Sequence, residues 1–436
     1  MNNKEQYKRI INFFSGAFIL IMLTYVFWVI WHRFYSNNIV LPFYRKGNWA
    51  VVGIYGVLAY LFSKVYGGYK PGYLRRSDES ASQMLSIACV NIITYFQISV
   101  IGRKFMSIYP VVIMTAIDFV FIYVWIFFCG KVYRKFYPPK KLAVIYGSHQ
   151  ASGLVDKMCK RTDKYIICES LKVSDNLDEA QKLIDRYEGI IICDVPDKTR
   201  NYLLKYCFAN SVRVYITPKI SDIIIRGADE LDLFDTPLLI CRNNGFTFED
   251  RVFKRIFDIV FSLVAIIITS PVMLICAAAV KKSDGGKIFY KQKRLTEGGR
   301  EFYVCKFRSM VSDAEKDGPQ LAQENDSRVT PAGAFMRKYR LDELPQFFNV
   351  LKGDMSVVGP RPERPELAEQ YSQDMPEFRF RLAVKAGITG FAQVTGRYNT
   401  LPYDKLKMDL MYIENYSVLM DLKIIFMTMK IMLFPS

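Results

Sequence analysis

Four long apolar runs open the chain, at 10–31, 49–66, 82–101 and 109–130. Each is long enough to cross a bilayer as a helix. Lys64 sits near the end of the second run, where a lysine head can snorkel to the interface, and Asn91 and Gln97 lie inside the third, where they predict hydrogen bonds between helices. Beyond residue 141 the pattern shortens. LAVIYG, KYIICESL, GIIICDV, VRVYIT and PLLIC are apolar runs of strand length separated by polar helical stretches, which predicts a small Rossmann-like α/β domain with a parallel sheet. A fifth long run, IVFSLVAIIITSPVMLICAAAV at 259–280, carries Pro271 near its midpoint, and both its flanks are basic (Arg251, Lys254 and Arg255 before, Lys281, Lys282 and Lys287 after). A spanning helix would put one basic flank outside, whereas a helix that enters, bends at Ser270–Pro271 and returns keeps both on one side. The pattern favours re-entry, and because proline-kinked helices also span, spanning stays open.

Charge sets the orientation. Lysines and arginines flanking the first four runs number twelve on the side of the N-terminus and five on the other, so the N-terminus and everything after residue 130 are expected in the cytoplasm. The chain is 51% hydrophobic and 15% aromatic, yet its formal charge is +17 with two histidines. That balance suits a protein partly in a membrane whose remainder meets anionic lipid or anionic substrate. The basic residues are scattered and no nucleic-acid module is visible, so nucleic acid is not an expected partner. Nine cysteines stand without CxxC pairs, which fits a reducing compartment and argues against a zinc site or a disulfide framework. The basic start lacks a small-residue cleavage site, which predicts a retained first helix. The first turn of the α/β segment, GSHQASG at 147–153, lacks the GxGxxG spacing of a dinucleotide site. A scaffold or regulatory role is favoured there, with His149 an exposed loop residue.

Chemistry concentrates after Pro271. No histidine follows it, so acid–base or nucleophilic work falls to carboxylates, tyrosine, serine, cysteine or lysine. RKYRLDELPQ sets Asp342 and Glu343 side by side behind Arg337, Lys338 and Arg340. Adjacent side chains on a helix point about 100° apart, so one can face a reacting phosphorus while the other holds Mg²⁺. An aspartate can attack phosphorus to form an acyl phosphate, with arginines neutralising the group in transfer. The plain alternative is a solvated helix end in which Lys338 reaches Asp342 and Arg340 reaches Glu343. Turns at Gly359–Pro360–Arg361–Pro362, Gly387, Gly390 and Gly396–Arg397 set backbone N–H groups beside guanidinium, as a phosphate cradle would. The stretch 406–433 reads either as a helix along the membrane interface or as an ordinary packed helix.

Residues from about 251 to 431 resemble the bacterial sugar transferase family, the monotopic phosphoglycosyl transferases. The resemblance rests on FKRIFDIV, IFYKQKR, KFRSM, LDELPQFFNVLKGDMSVVGPRPERPE, AGITGFAQVTGR and YIENYSVLMDLKII, which follow in the family's order and spacing. The whole chain resembles the large form, which implies a membrane protein of α plus α/β class. Its parts would be a four-helix transmembrane bundle at 1–136, a Rossmann-like cytoplasmic domain at 137–248, and a mostly helical catalytic domain at 249–436. A re-entrant helix at about 253–281, bent at Ser270 and Pro271, would anchor the last. The implied activity is transfer of a sugar 1-phosphate from a UDP-sugar to polyprenol (undecaprenyl) phosphate, releasing UMP, at the cytoplasmic face of the bacterial plasma membrane. Asp342 would be the covalent nucleophile and Glu343 the Mg²⁺ ligand. Lys306, Arg308, Arg340, Arg361, Gln393 and Arg397 would contact phosphate or nucleotide. Membrane lipids are implied partners, and a homodimer through the spanning helices is compatible.

Two positions depart from the family pattern: Ala386 stands where proline is common, and Leu295–Thr296 replaces a more usual glycine-containing turn. Both bear on loop shape and sugar preference. Two rival classes are a membrane-bound Mg²⁺-dependent phosphohydrolase of lipid pyrophosphates, which needs no nucleotide donor, and a non-catalytic membrane sensor. The intact acid pair, KFRSM and PRP count against the sensor.

Overall fold

The structure, a computed structural model, describes all residues except 1–6, 41–42, 44, 71, 73, 148–150, 174–176, 232–234, 242–244, 312–325, 327, 397–399 and 434–436. His149 and Arg397 therefore lie outside the described residues. The chain divides into two compact units, Met1–Thr217 and Pro218–Ser436.

The first unit opens with α1 (Lys8–Ile30), which continues through a π-helical turn, Trp31–Tyr35, and then α2 (Arg45–Val65), α3 (Arg76–Ile101) and α4 (Tyr109–Phe136). The helices run past the apolar runs that predict them, because backbone hydrogen bonding continues into polar flanks. α1 packs on α2 and α4, and α3 packs on α2 and α4, around buried Leu23, Phe27, Trp31, Tyr55, Met114 and Ile122. Large apolar side chains such as Phe13, Ile21, Ile92, Val112 and Phe128 cover the outside as well. A helix apolar all round is one whose outer face also avoids water, and all four are long and apolar enough to cross a membrane. Inside, the Tyr55 hydroxyl donates to Asn91 Oδ1 at 3.1 Å, and Asn91 Nδ2 donates to Asp118 Oδ2 at 3.0 Å. Asn91 thus makes the expected interhelical bonds.

The same unit carries a four-stranded parallel sheet in the order β2-β1-β3-β4. Its strands are β1 (Lys140–Tyr146), β2 (Tyr165–Lys172), β3 (Gly189–Cys193) and β4 (Arg213–Ile216), joined by α5 (Ala151–Cys159), α6 (Asp178–Arg186) and α7 (Asp197–Ala209). α6 and α7 cover one face through Leu183 and Leu203, and α5 covers the other through Leu154 and Met158. Helices on both faces explain why the central strands read as continuous apolar runs.

The second unit begins with α8 (Ile220–Arg226), β5 (Asp229–Leu231) and β6 (Leu238–Ile240). PLLIC does not join the parallel sheet: it forms β6, antiparallel to β5, with Leu238 and Leu239 exposed. A short apolar run does not specify its partner strand, and here the neighbour a few residues away won.

α9 (Phe248–Asp284) is a single 37-residue helix with Pro271 inside it. Thr247 caps its start by accepting from the Asp250 amide, Glu249 and Asp250 sit in its first turn, and Gly285 ends it with φ 69°, a left-handed turn that glycine adopts without strain. Its middle exposes Leu263, Ile267, Ile268, Leu274 and Ile275, and it too is long and apolar enough to cross a membrane. The hairpin β7 (Phe289–Leu295)–β8 (Glu301–Phe307) follows, then α10 (Pro331–Lys338), α11 (Gln346–Lys352), β9 (Ser356–Val358), α12 (Pro365–Asp374), β10 (Gly387–Thr389), α13 (Phe391–Thr395), α14 (Pro402–Glu414) and α15 (Val418–Leu433). The stretch read as one interfacial or packed helix is two helices, with Leu406, Leu410, Ile424 and Ile425 in the core.

Buried charge fixes the root of α9. Lys254 Nζ lies 2.7 Å from Asp421 Oδ2 on α15 and 3.7 Å from Asp258 Oδ1. Tyr412 on α14 donates to Asp421 at 2.8 Å, and Asp258 accepts from Ser356 Oγ and the Val357 amide on β9, both at 3.0 Å. Replacing Lys254 by methionine strands both acids and is expected to cost about 3–5 kcal/mol, read as a lower midpoint of thermal unfolding in detergent. Adding Asp421→Asn is expected to recover part of the loss. An unchanged midpoint in the single variant would show that this network does not hold α9.

Candidate active site

Asp342 and Glu343 occupy a single 3₁₀ turn, Leu341–Glu343, and not the end of an α-helix. Arg340 breaks α10 with φ 54° and ψ 24°, and Pro345 restarts the chain as the cap of α11. The residues flanking the acid pair are apolar for a reason: Leu341 and Leu344 pack with Met273, Cys276 and Val280, on the second half of α9. Asn349 on α11 then clamps the hairpin, donating to the Tyr303 carbonyl at 2.8 Å and accepting from the Cys305 amide at 2.9 Å. The next residue, Lys306, is thereby aimed at the acid pair.

The charges converge on Glu343. Lys306 Nζ donates to Glu343 Oε1 at 2.7 Å, and Arg361 Nη2 lies 3.5 Å from the same oxygen. Arg361 Nη1 also donates to Gln393 Oε1 at 3.1 Å. The sequence-level alternative, Lys338 on Asp342 and Arg340 on Glu343, is not the observed pairing; the cations come from β8 and from the turn after β9. Arg340 still contributes positive potential at Glu343. Arg308 is placed by other contacts: its amide donates to Ile288, and its guanidinium packs so close to Gly286 that a Cβ there would fall 2.6 Å from Nη1. Of the amides expected to cradle a phosphate, three are spent internally: Gly359 on Thr389, Gly387 on Pro360, and Gly396 on Ala392, each at 2.9 Å. Ser270 and Pro271 lie within α9, where Ser270 Oγ donates to the Ile267 carbonyl at 2.9 Å.

The two acids differ sharply. Burial, reinforced by the neighbouring Glu343 charge, pushes Asp342 up to about 6 against the pull of Lys306 and Arg337. Burial acts on Glu343 in the same direction, but Lys306 and Arg361 outweigh it and bring Glu343 down to about 2. Near neutrality Glu343 is a firm anion, and Asp342 is a carboxylate of raised basicity. Both cation contacts on Glu343 fall on Oε1. Among the described residues no three His, Cys, Asp or Glu side chains converge. Mg²⁺ commonly binds through one or two carboxylates plus substrate phosphates and water, and this acid pair fits that pattern.

The sequence pattern of the family described as bacterial sugar transferase matches residues 249–435. An Aeromonas hydrophila protein named UDP-N-acetylgalactosamine-undecaprenyl-phosphate N-acetylgalactosaminephosphotransferase is 43% identical over 183 residues, 41% of this chain and 43% of its own length. A Klebsiella pneumoniae UDP-glucose:undecaprenyl-phosphate glucose-1-phosphate transferase is 44% identical over 209 residues, 47% of this chain and 43% of its own. These matches span less than half of either relative. A Bacillus subtilis protein, provisionally named an undecaprenyl-phosphate N-acetylgalactosaminyl 1-phosphate transferase, is 47% identical over 129 residues, 30% of this chain and 72% of its own length. The chain belongs to the bacterial sugar transferase family. The family region, 249–435, holds Asp342, Glu343 and the cations around them. Around the Arg361 turn, Arg294 Nη1 donates to the Pro362 carbonyl at 3.1 Å, Arg381 Nη2 donates to the Arg361 carbonyl at 2.9 Å, and Asp409 Oδ2 lies 2.8 Å from Arg381. Nothing in the spacing of these three residues marks them, because their partners lie far away in the chain.

Carbodiimide consumes protonated carboxyls. It is expected to modify Asp342 with a midpoint near pH 6 and to spare Glu343 until the pH approaches about 2. Site-resolved mass spectrometry finding Glu343 modified first would overturn the assignment of the two acids.

Proposed function

We propose that the chain transfers a sugar 1-phosphate from a UDP-sugar to undecaprenyl phosphate and releases UMP. The observation that carries this reading is the division of labour in the acid pair: a buried, basic Asp342 beside a Glu343 held anionic by Lys306 and Arg361. The relatives named above support the substrate class. They carry different sugars in their names, N-acetylgalactosamine and glucose, so the sugar is left as a variable for the assay.

In the proposed reaction an Asp342 carboxylate oxygen attacks the β-phosphorus of the donor. The bond from that phosphorus to the bridging oxygen breaks, and UMP leaves with the electron pair. An oxygen of undecaprenyl phosphate then attacks the same phosphorus and expels the Asp342 carboxylate, giving the diphospho-sugar lipid. Arg361 and Lys306 lose their anion partner as donor phosphates arrive and turn to those oxygens, which places positive charge where negative charge builds up. Mg²⁺ held at Glu343 would add neutralising charge on the same oxygens. A raised Asp342 suits attack at neutral pH, because its carboxylate is more basic than an ordinary one while still mostly ionised.

In membrane terms, α1 to α4 are proposed to span the plasma membrane with the N-terminus and both later segments in the cytoplasm. α9 is proposed to enter the cytoplasmic leaflet and return. Pro271, together with the Ser270 bond to Ile267, supports a bend at that point. Any homodimer would form through the outer apolar faces of α1 to α4.

UMP release by membranes carrying the full chain, measured with Mg²⁺ across a panel of UDP-sugars with and without undecaprenyl phosphate, tests the reading. Release is expected to need one sugar and the lipid, and to fall about a thousand-fold or more in Asp342→Asn. Steady-state release by folded Asp342→Asn would overturn the covalent step, and phosphate release from a lipid pyrophosphate with no nucleotide present would favour the hydrolase. The wild-type rate is expected to hold above pH 6 and decline below about 6 as Asp342 takes up its proton. For topology, Pro271→Leu in a Lys287→Cys background is expected to open the introduced thiol to an impermeant maleimide added outside. Unchanged protection would mean that Pro271 alone does not set the bend.

A further inference from the structure

The turn that carries Arg361 contains Pro360 and Pro362, which bring no amide hydrogen to it. Its backbone is instead held through four successive carbonyls. Pro360 accepts from the Gly387 amide at 2.9 Å and Arg361 from Arg381 Nη2 at 2.9 Å. Pro362 accepts from Arg294 Nη1 at 3.1 Å and Glu363 from the Leu295 amide at 3.0 Å. Three separate segments, β7, the 3₁₀ helix Pro376–Ala383 and β10, thus grip one short strap. The carbonyl of Arg361 itself is held by a side chain. That donor, Arg381, is 5% exposed, lies 4.8 Å from the centre of the Phe378 ring, and sits 2.8 Å from Asp409 Oδ2 and 3.4 Å from Glu363 Oε1. Asp409, on α14, is 1% exposed. A buried guanidinium needs an acid beside it and a buried acid needs a cation, and burial still pushes the Asp409 carboxyl up to about 6 against the pull of Arg381.

We propose that Arg381 and Asp409 are positioning residues for Arg361. Asp409 holds the Arg381 fork, the fork holds the Arg361 carbonyl, and the backbone so fixed delivers the Arg361 guanidinium to Glu343 and Gln393. The segment that carries Arg361 is therefore set from α14 as well as from β7 and β10. Lysine at 381 would keep the charge opposite Asp409 but lose the planar fork that serves a carboxylate and a carbonyl together. Asparagine at 409 would keep the shape and remove the charge.

The kinetic consequence rests on the transferase reading above; the labelling consequence does not. Phenylglyoxal labelling of the full chain in detergent, resolved by mass spectrometry, is expected to run about threefold faster at Arg361 in Arg381→Lys and in Asp409→Asn, because a guanidinium released from its carboxylate partner reacts more freely. Arg300, which pairs with Asp354 away from the strap, is expected to label at the wild-type rate in both. In UMP release, Arg361→Met is expected to lower kcat/KM for the UDP-sugar by about tenfold in the native background and by less than about twofold in Arg381→Lys, the non-additivity of residues that act through one another. A merely structural Arg381 would leave the two losses equal. Wild-type labelling of Arg361 in both variants, or equal losses in the two backgrounds, overturns the proposal. So does aggregation of both variants, which would make the pair a folding element. Absence of UMP release from the native chain would sink the transferase reading and leave the labelling to decide the positioning role.

Discussion

Two neighbouring carboxylates in a buried turn repel each other, and the second unit is arranged around that repulsion. One acid must be neutralised from outside the turn or take up a proton. Here the cations reach Glu343, with Lys306 from β8 and Arg361 from the turn after β9 both on Oε1, and Asp342 is left buried with the residual penalty. The asymmetry gives adjacent acids of similar chemistry opposite properties. It depends on cations from segments far apart in sequence arriving at one oxygen, so everything that fixes those segments also fixes the chemistry.

Three sets of contacts do the fixing. α9 supplies the floor: its second half packs against Leu341 and Leu344 beside the acid pair. Its first half is tied by Lys254 and Asp258 to α15 and β9. Arg255 adds a further tie, donating to the Val350 and Leu351 carbonyls at the end of α11 at 2.6 and 2.8 Å. The side-chain amide of Asn349 holds the β7–β8 hairpin, and with it Lys306, against α11. The carbonyl-gripped strap holds Arg361. One set of packed side chains thus joins the long apolar helix to the turn that carries Asp342 and Glu343.

Close backbone approach explains the glycines better than ligand binding does. A Cβ on Gly387 would fall 2.1 Å from the Gly359 amide nitrogen, and one on Gly390 would fall 2.1 Å from the Gly359 carbonyl. These positions allow β9 and β10 to pair beside the strap. The Gly359 and Gly387 amides are already used inside the protein, on the Thr389 and Pro360 carbonyls.

The sequence by itself determined the long helices, the short parallel strands, the family and the acid pair. Those features are written in local pattern: run length, period, and an ordered set of short stretches. PLLIC shows the limit, since an apolar run specifies burial pressure but not the strand it will meet. The cations that Glu343 receives were likewise beyond the sequence, because helix spacing pointed to Lys338 and Arg340, while folding brought in Lys306 and Arg361. Arg381 and Asp409 were invisible for the same reason. Their value lies wholly in contacts between 361, 381 and 409, and a buried charge acquires meaning only when tertiary structure decides what stands beside it in the absence of water.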